Sequence, residues 1–297
     1  MKIKIITSYK PGTWDSFSKR GIESMTKHLP KEVDIVVYNE EPKPNYNSDR
    51  IKWIDLNTVE PELFNFKNKH KNDPVACGET TPIEGGVRRS PKAGNMDRGK
   101  GSFLWDAVRF SNKVFCVVNA VRNSPEYDYI IWIDADTYTF RPMPIGFLEN
   151  LLPINTMLTY LGRERFELKD GGKYPECGFV GYNLRHPEVQ NFVNEWEQLY
   201  TTDNVFKLLE WHDSFILWHL AKKFKKEKNI KINDIGYAKG VKGHHVFVNS
   251  ELGLYMDHMK GKRKQKGTSA KNDLRPPRPD APADVSKIDY WKERPAS

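Results

Sequence analysis

Asp134 and Asp136 stand one residue apart, directly after the apolar run Tyr129-Ile130-Ile131-Trp132-Ile133. A short continuous run of branched and aromatic residues reads as a buried strand. Two carboxylates at its end therefore sit at a carboxyl edge of a sheet, where open α/β folds bind ligands. Hard oxygen ligands so close together suit a divalent cation that also holds a substrate's phosphates. The plain alternative is a solvated turn, where Asp is common.

The surrounding sequence must supply the scaffold. The segment 2–8 alternates like a first strand and leads to Thr7-Ser8-Tyr9 and a Pro11-Gly12 loop. A helix is expected from Trp14 to about His28, then strands over Val33–Tyr38 and Ile51–Asp55. This βαβ-like opening argues for a parallel sheet. Phe103, Ala107, Phe110, Val114, Val117 and Val121 recur at helical spacing, so 102–123 reads as a helix. Asp106, Arg109 and Lys113 share one of its faces. Beyond the carboxylates, strands are expected over Thr156–Leu161 and Glu176–Leu184, where Gly178 and Gly181 allow close approach of a backbone or ligand. Helices are expected from His186 to Tyr200 and from Leu208 to Lys223. Short strands near 230–232, 246–248 and 254–258 complete the pattern. The stretch 69–100 is charged, rich in Pro and Gly, and reads as a long loop or lid. The expected organisation is one domain over 1–267 and a proline-rich polar tail, loosely ordered, over 268–297.

A length of 297 residues with 38% hydrophobic content allows a sizeable core, and no apolar run is long enough to span a membrane. The first residues do not read as a signal peptide. The three cysteines, Cys77, Cys116 and Cys177, show neither zinc nor disulfide spacing, so a cytoplasmic setting is expected. The net charge of +8, concentrated in Lys260–Lys266, points to anionic partners such as nucleotides, nucleic acid or acidic glycans.

Strand, helix and a strand ending in Asp-x-Asp, followed by a mixed second half, resemble the metal-dependent glycosyltransferases of the GT-A fold. His258-Met259-Lys260-Gly261-Lys262-Arg263-Lys264 has the form His-x-x-Gly-x-x-Lys. It resembles the C-terminal signature of glycosyltransferase family 8, which includes glycogenin and bacterial lipooligosaccharide galactosyltransferases. The resemblance runs in order over roughly 1–265 and is specific at these two motifs. It implies an α/β, Rossmann-like, mixed and mainly parallel sheet flanked by helices. It further implies that Asp134, Asp136 and His258 bind Mn²⁺ or Mg²⁺, that Gly261 and Lys264 contact the diphosphate of a nucleotide-sugar donor, and that Ala135 faces the ribose. Arg109, with Asp106 and Lys113 on the same helix, is expected near the donor, and Thr7 and Tyr9 near its base. UDP is the expected nucleotide and retention the expected outcome. A cation and a lysine on the departing diphosphate would stabilise the charge that develops there.

Three positions depart from the family pattern: Glu176-Cys177-Gly178 in place of Asn-x-Gly, Trp211-His212-Asp213 in place of Asp-Gln-Asp, and Gln265-Lys266 after the lysine. Asp213, His212 and Glu176 are the candidate catalytic groups beside the reacting carbon. For an inverting enzyme, Asp213 or Glu176 would act as general base; as a bland alternative, Asp213 caps a helix. The acceptor is a hydroxyl of unspecified origin: a glycan, a lipid precursor, a protein or a modified DNA base. The loop 69–100 and Tyr160–Arg165 are candidates to touch it by location. Two rival readings are a haloacid-dehalogenase phosphatase, whose motif continues differently after its second Asp, and a non-catalytic basic nucleic-acid-binding protein. The second leaves the acidic pair unexplained.

Overall fold

Every residue of Tyr129–Ile133 is buried, and its side chains divide by parity. Ile130 and Trp132 join one apolar cluster, whereas Tyr129, Ile131 and Ile133 join another. Alternate residues of a strand face opposite ways, so this division places a core on each face of the sheet.

The computed structural model describes residues 1–88, 101–167, 173–236, 245–261, 263–266, 269 and 273. The first half contains β1 (Ile3–Ser8), α1 (Lys19–His28), β2 (Asp34–Asn39), β3 (Ile51–Asp55), α2 (Leu56–Val59), α3 (Pro61–His70), β4 (Ile83–Glu84), β5 (Val87–Arg88), α4 (Ala107–Arg122), β6 (Tyr129–Ile133) and β7 (Thr137–Thr139). The second half contains α5 (Ile145–Asn150), β8 (Leu158–Glu167), β9 (Lys173–Asn183), α6 (Val189–Thr201), α7 (Asp213–Lys228), β10 (Ile232–Asp234), β11 (Met256–His258) and α8 (Arg263–Lys266).

Seven strands form the main sheet in the order β10-β8-β9-β6-β1-β2-β3. The pairs β1–β2, β2–β3, β1–β6 and β8–β10 are parallel, and β9 runs antiparallel to both its neighbours. Residues of α4, α6 and α7 pack on one face, and residues of α1 and α5 on the other. This is the mixed, mainly parallel α/β arrangement of the GT-A fold.

The expected elements are present around the sheet core, with differences at the periphery. The helix expected from 102 is broken: Gly101–Trp105 is a 3-10 turn, and α4 begins after Asp106. The break follows from tertiary hydrogen bonds. Trp105 Nε1 donates to the Leu209 carbonyl at 2.9 Å, and Trp211 N donates to the Leu104 carbonyl at 2.8 Å. The run Val246-Phe247-Val248 is buried, as an apolar run should be, but its backbone turns. Two helices, α2 and α3, fill the stretch after β3, and β4 and β5 form a small hairpin inside the expected loop 69–100. Residues 89–100 of that loop lie outside the described residues, as does most of the tail 268–297. Within the tail, Ser269 donates through its backbone and hydroxyl to buried Asp257 at 3.0 and 2.7 Å. Asp273 accepts from Arg263 Nε at 2.9 Å. Among the described residues no helix is long and apolar enough to cross a membrane.

Candidate metal centre and its surroundings

Asp134 follows directly on β6, and its N–H donates to the Gly178 carbonyl of β9 at 3.1 Å. Thr137 N then donates to the Asp134 carbonyl at 2.9 Å, closing a tight turn into β7. That turn throws both carboxylates to one side. β7 pairs antiparallel with β11, and His258 lies opposite Thr137. A three-residue strand thus delivers the imidazole to the acidic pair across 122 positions of sequence.

His258 Nε2 lies 3.0 Å from Asp136 Oδ1 and 3.3 Å from Asp134 Oδ2. One ligand atom from each of the three residues falls within 4.8 Å of the others. The ring is 1% exposed, whereas the Asp134 side chain is 25% exposed, so the group is closed behind and open in front. Nδ1, the other ring nitrogen, lies 3.4 Å from Glu176 Oε2. A carboxylate behind a histidine and two carboxylates before it match a mixed N/O cation site with a supporting outer layer. The donor set therefore fits the expected Mn²⁺ or Mg²⁺.

Cations surround these acids. Lys264 Nζ lies 2.7 Å from Asp136 Oδ2 and 4.3 Å from the Phe17 ring centroid. Gly261 has φ +57, in the region that favours glycine, and it turns the chain between His258 and α8. Lys113, on α4, is buried and lies 2.9 Å from Asp134 Oδ1 and 2.5 Å from Asp213 Oδ2. It also donates to the Cys177 carbonyl at 3.0 Å. Trp132 Nε1 donates to Asp134 Oδ1 at 2.6 Å. Glu176, 2% exposed, faces Lys260 and lies 3.6 Å from Arg163 Nη2.

Proton affinities follow from this packing. Burial alone would raise the Asp136 pKa, but His258 and Lys264 outweigh it and hold the carboxyl below its usual range. Burial opposes the charge on Asp213 as well, yet Lys113 and His212 keep it well below the usual range. For His258, burial would favour the neutral ring; Glu176 and Asp136 reverse this and raise its pKa well above the ordinary value. Glu176 is held low by Lys260 and His258 against burial.

The other expected site residues divide into two groups. Asp213 opens α7 and joins the cluster through Lys113. His212 stands 3.8 Å from it and contacts Glu210 at 2.9 Å and the Tyr174 hydroxyl at 3.0 Å. On α4 the residue that reaches the acids is Lys113; Arg109 is exposed, and Asp106 caps the helix by accepting from Arg109 N at 3.0 Å. Thr7 and Tyr9 are buried, and their hydroxyls have no hydrogen-bond partner among the described residues. Tyr9 packs on Trp14 with ring centroids 5.5 Å apart, and burial raises its pKa to about 12. The Ala135 carbonyl abuts Gly21 of α1, where a Cβ would lie 2.0 Å from its oxygen.

Gly21, Trp132, Arg163 and His245 were not singled out from the sequence. A glycine inside a helical pattern was the only signal for Gly21. His245 Nε2 lies 2.7 Å from the His258 carbonyl oxygen, a contact that no spacing announces.

No protein-family model matches the chain, and no curated protein matches it. Among solved structures it is similar to the bifunctional glycosyltransferase WbbM in its apo structure, with a TM-score of 0.45 and 13% sequence identity. The match covers 88% of this chain and spans 46% of that one. Sheet order and the converging acids together define a GT-A scaffold bearing a candidate Asp–Asp–His cation site.

Proposed function

We propose that this protein is a metal-dependent glycosyltransferase that moves a sugar from a nucleotide donor, of UDP type, to a hydroxyl acceptor with retention at the anomeric carbon. The observation that carries this reading is the meeting of Asp134, Asp136 and His258 at one open-faced cluster, with Lys264 beside it. These three residues would hold Mn²⁺ or Mg²⁺. The cation's chemistry there is to neutralise charge as the nucleoside diphosphate departs.

The chain's own groups supply the rest. Lys264, 28% exposed, stands beside Asp136 and is placed to share the diphosphate charge. Gly261 permits the turn that brings it there. Thr7 and Tyr9 offer hydroxyls at the end of β1 for the nucleotide end of the donor. Asp213, held ionised by Lys113, is a poor proton acceptor at neutral pH. It acts as a fixed negative charge beside the sugar as positive character develops at the ring, with His212 packed against it. That role favours retention over a mechanism in which Asp213 takes the acceptor's proton. The acceptor class stays with the possibilities named from the sequence, a modified DNA base among them.

The direct test is a thermal-shift screen of nucleotide sugars with and without Mn²⁺, followed by donor hydrolysis with the preferred one. Asp136→Asn should lower Mn²⁺-dependent turnover at least about 100-fold while the protein stays folded. Undiminished turnover by that variant would refute the assignment. Salt-sensitive binding to nucleic acid with no nucleotide-sugar turnover would favour the non-catalytic reading instead.

A further inference from the structure

We propose that Glu176 and Gly178 of β9 form a cradle that fixes the tautomer of His258, so that Glu176 is a positioning residue of the cation site rather than a group acting on substrate. The inference rests on the cation-dependent reading above.

The two faces of the imidazole see different chemistry. Nε2 looks toward Asp136 Oδ1 at 3.0 Å and Asp134 Oδ2 at 3.3 Å. Nδ1 looks toward Glu176 Oε2 at 3.4 Å. A carboxylate behind Nδ1 fixes the hydrogen there, and the Nε2 lone pair is then free for a cation. Gly178 makes the approach possible. A Cβ at that position would lie 2.3 Å from Nδ1, 2.6 Å from Cε1 and 3.1 Å from Glu176 Oε2. Any side chain at 178 would drive the ring off the strand or off the carboxylate.

The cradle is itself braced. Gly178 N donates to Glu176 Oε1 at 3.2 Å, and the Gly178 carbonyl accepts from Asp134 N at 3.1 Å. One strand segment therefore sets the Asp turn and the histidine ring together. On the far side, His245 Nε2 meets the His258 carbonyl at 2.7 Å. Glu176 is 2% exposed and ringed by His258, Lys260 and Arg163. A carboxylate so enclosed has no open edge toward an acceptor hydroxyl.

The test measures Mn²⁺ binding by electron paramagnetic resonance and the His258 tautomer by ¹⁵N NMR of metal-free protein at alkaline pH. Wild type should carry its ring hydrogen on Nδ1. Glu176→Gln keeps an acceptor oxygen and should hold both the tautomer and the Mn²⁺ affinity within about threefold. Glu176→Ala should mix the tautomers and weaken Mn²⁺ about 10–100-fold. Gly178→Ala should do the same by displacing the ring. Wild-type tautomer and Mn²⁺ affinity in Glu176→Ala would overturn the proposal. Absence of Mn²⁺ binding by wild type would instead sink the functional reading, and the NMR result would still decide the role of Glu176.

Discussion

Lys113 has three ammonium hydrogens and three acceptors within reach: Asp134, Asp213 and the Cys177 carbonyl. An ammonium so engaged joins the cation site to the start of α7. Removing one member of a buried ion pair leaves the other charges uncompensated, which costs roughly 3–5 kcal/mol. Lys113→Met should therefore lower unfolding free energy by about that amount in urea titrations and should also weaken Mn²⁺ binding. A variant as stable as the parent would show that the contact contributes nothing. A second residue-scale prediction concerns pH. His258 has a raised folded pKa, owed to Glu176 and Asp136 against the effect of burial. In metal-free protein its charged form stabilises the fold below the ordinary histidine range, and this contribution is lost as pH rises through the folded pKa. A cation needs Nε2 bare, so binding releases that proton. Apparent Mn²⁺ affinity should fall about tenfold per pH unit on the acid side of the folded pKa, as seen by titration calorimetry in buffers of different ionisation enthalpy. A pH-independent affinity would place the metal elsewhere.

Helix α1 reaches the Asp turn only because residue 21 has no side chain. The missing Cβ would sit 2.0 Å from the Ala135 carbonyl oxygen and 3.1 Å from the Thr137 carbonyl oxygen. Gly21→Ala should cost about 1–3 kcal/mol by forcing the helix and turn apart, and it should lower the melting temperature and Mn²⁺ affinity together. A melting temperature that drops with unchanged metal binding would mean the turn holds its shape without the helix. At this scale the sequence was readable where an element carries its own signal. β6 announces itself by five consecutive apolar residues, and α4 by apolar spacing. β7 was not foreseen, because Thr137-Tyr138-Thr139 has little strand character and pairs only with distant β11. The apolar run 246–248 misled for the complementary reason. Burial explains its composition, but no strand lies beside its backbone. The acidic pair was visible as a local motif, and His258 through family resemblance. The buried supports, Lys113 to Asp213 and Glu176 to His258, depend on which strands become neighbours, and a linear pattern does not encode that.

At the scale of the molecule, metal binding and folding are linked. A ligand that binds only the folded state adds about 2.7 kcal/mol at one hundred times its dissociation constant. Mn²⁺ should therefore raise the melting temperature of the parent, and His258→Ala should erase the increment. An equal rise in both would mean that the ion binds nonspecifically. The far end of the described chain takes part as well. Ser269 gives two hydrogen bonds to Asp257, the neighbour of His258, and Asp273 is tied to Arg263. Ending the chain after Gly267 removes those two donors from a fully buried carboxylate, at a cost of about 1–3 kcal/mol. Urea unfolding of the shortened protein checks this, and an unchanged midpoint would show that the segment contributes nothing to stability.

The pairing of β7 with β11 also has a consequence for how the protein comes into being. A ribosome that has released residues up to 250 has exposed both aspartates, while the strand that partners β7 is still unmade. Prematurely terminated products would carry the acidic turn without its imidazole, and so would be catalytically silent. Competence arrives with the last strand translated, which keeps incomplete chains from consuming donor.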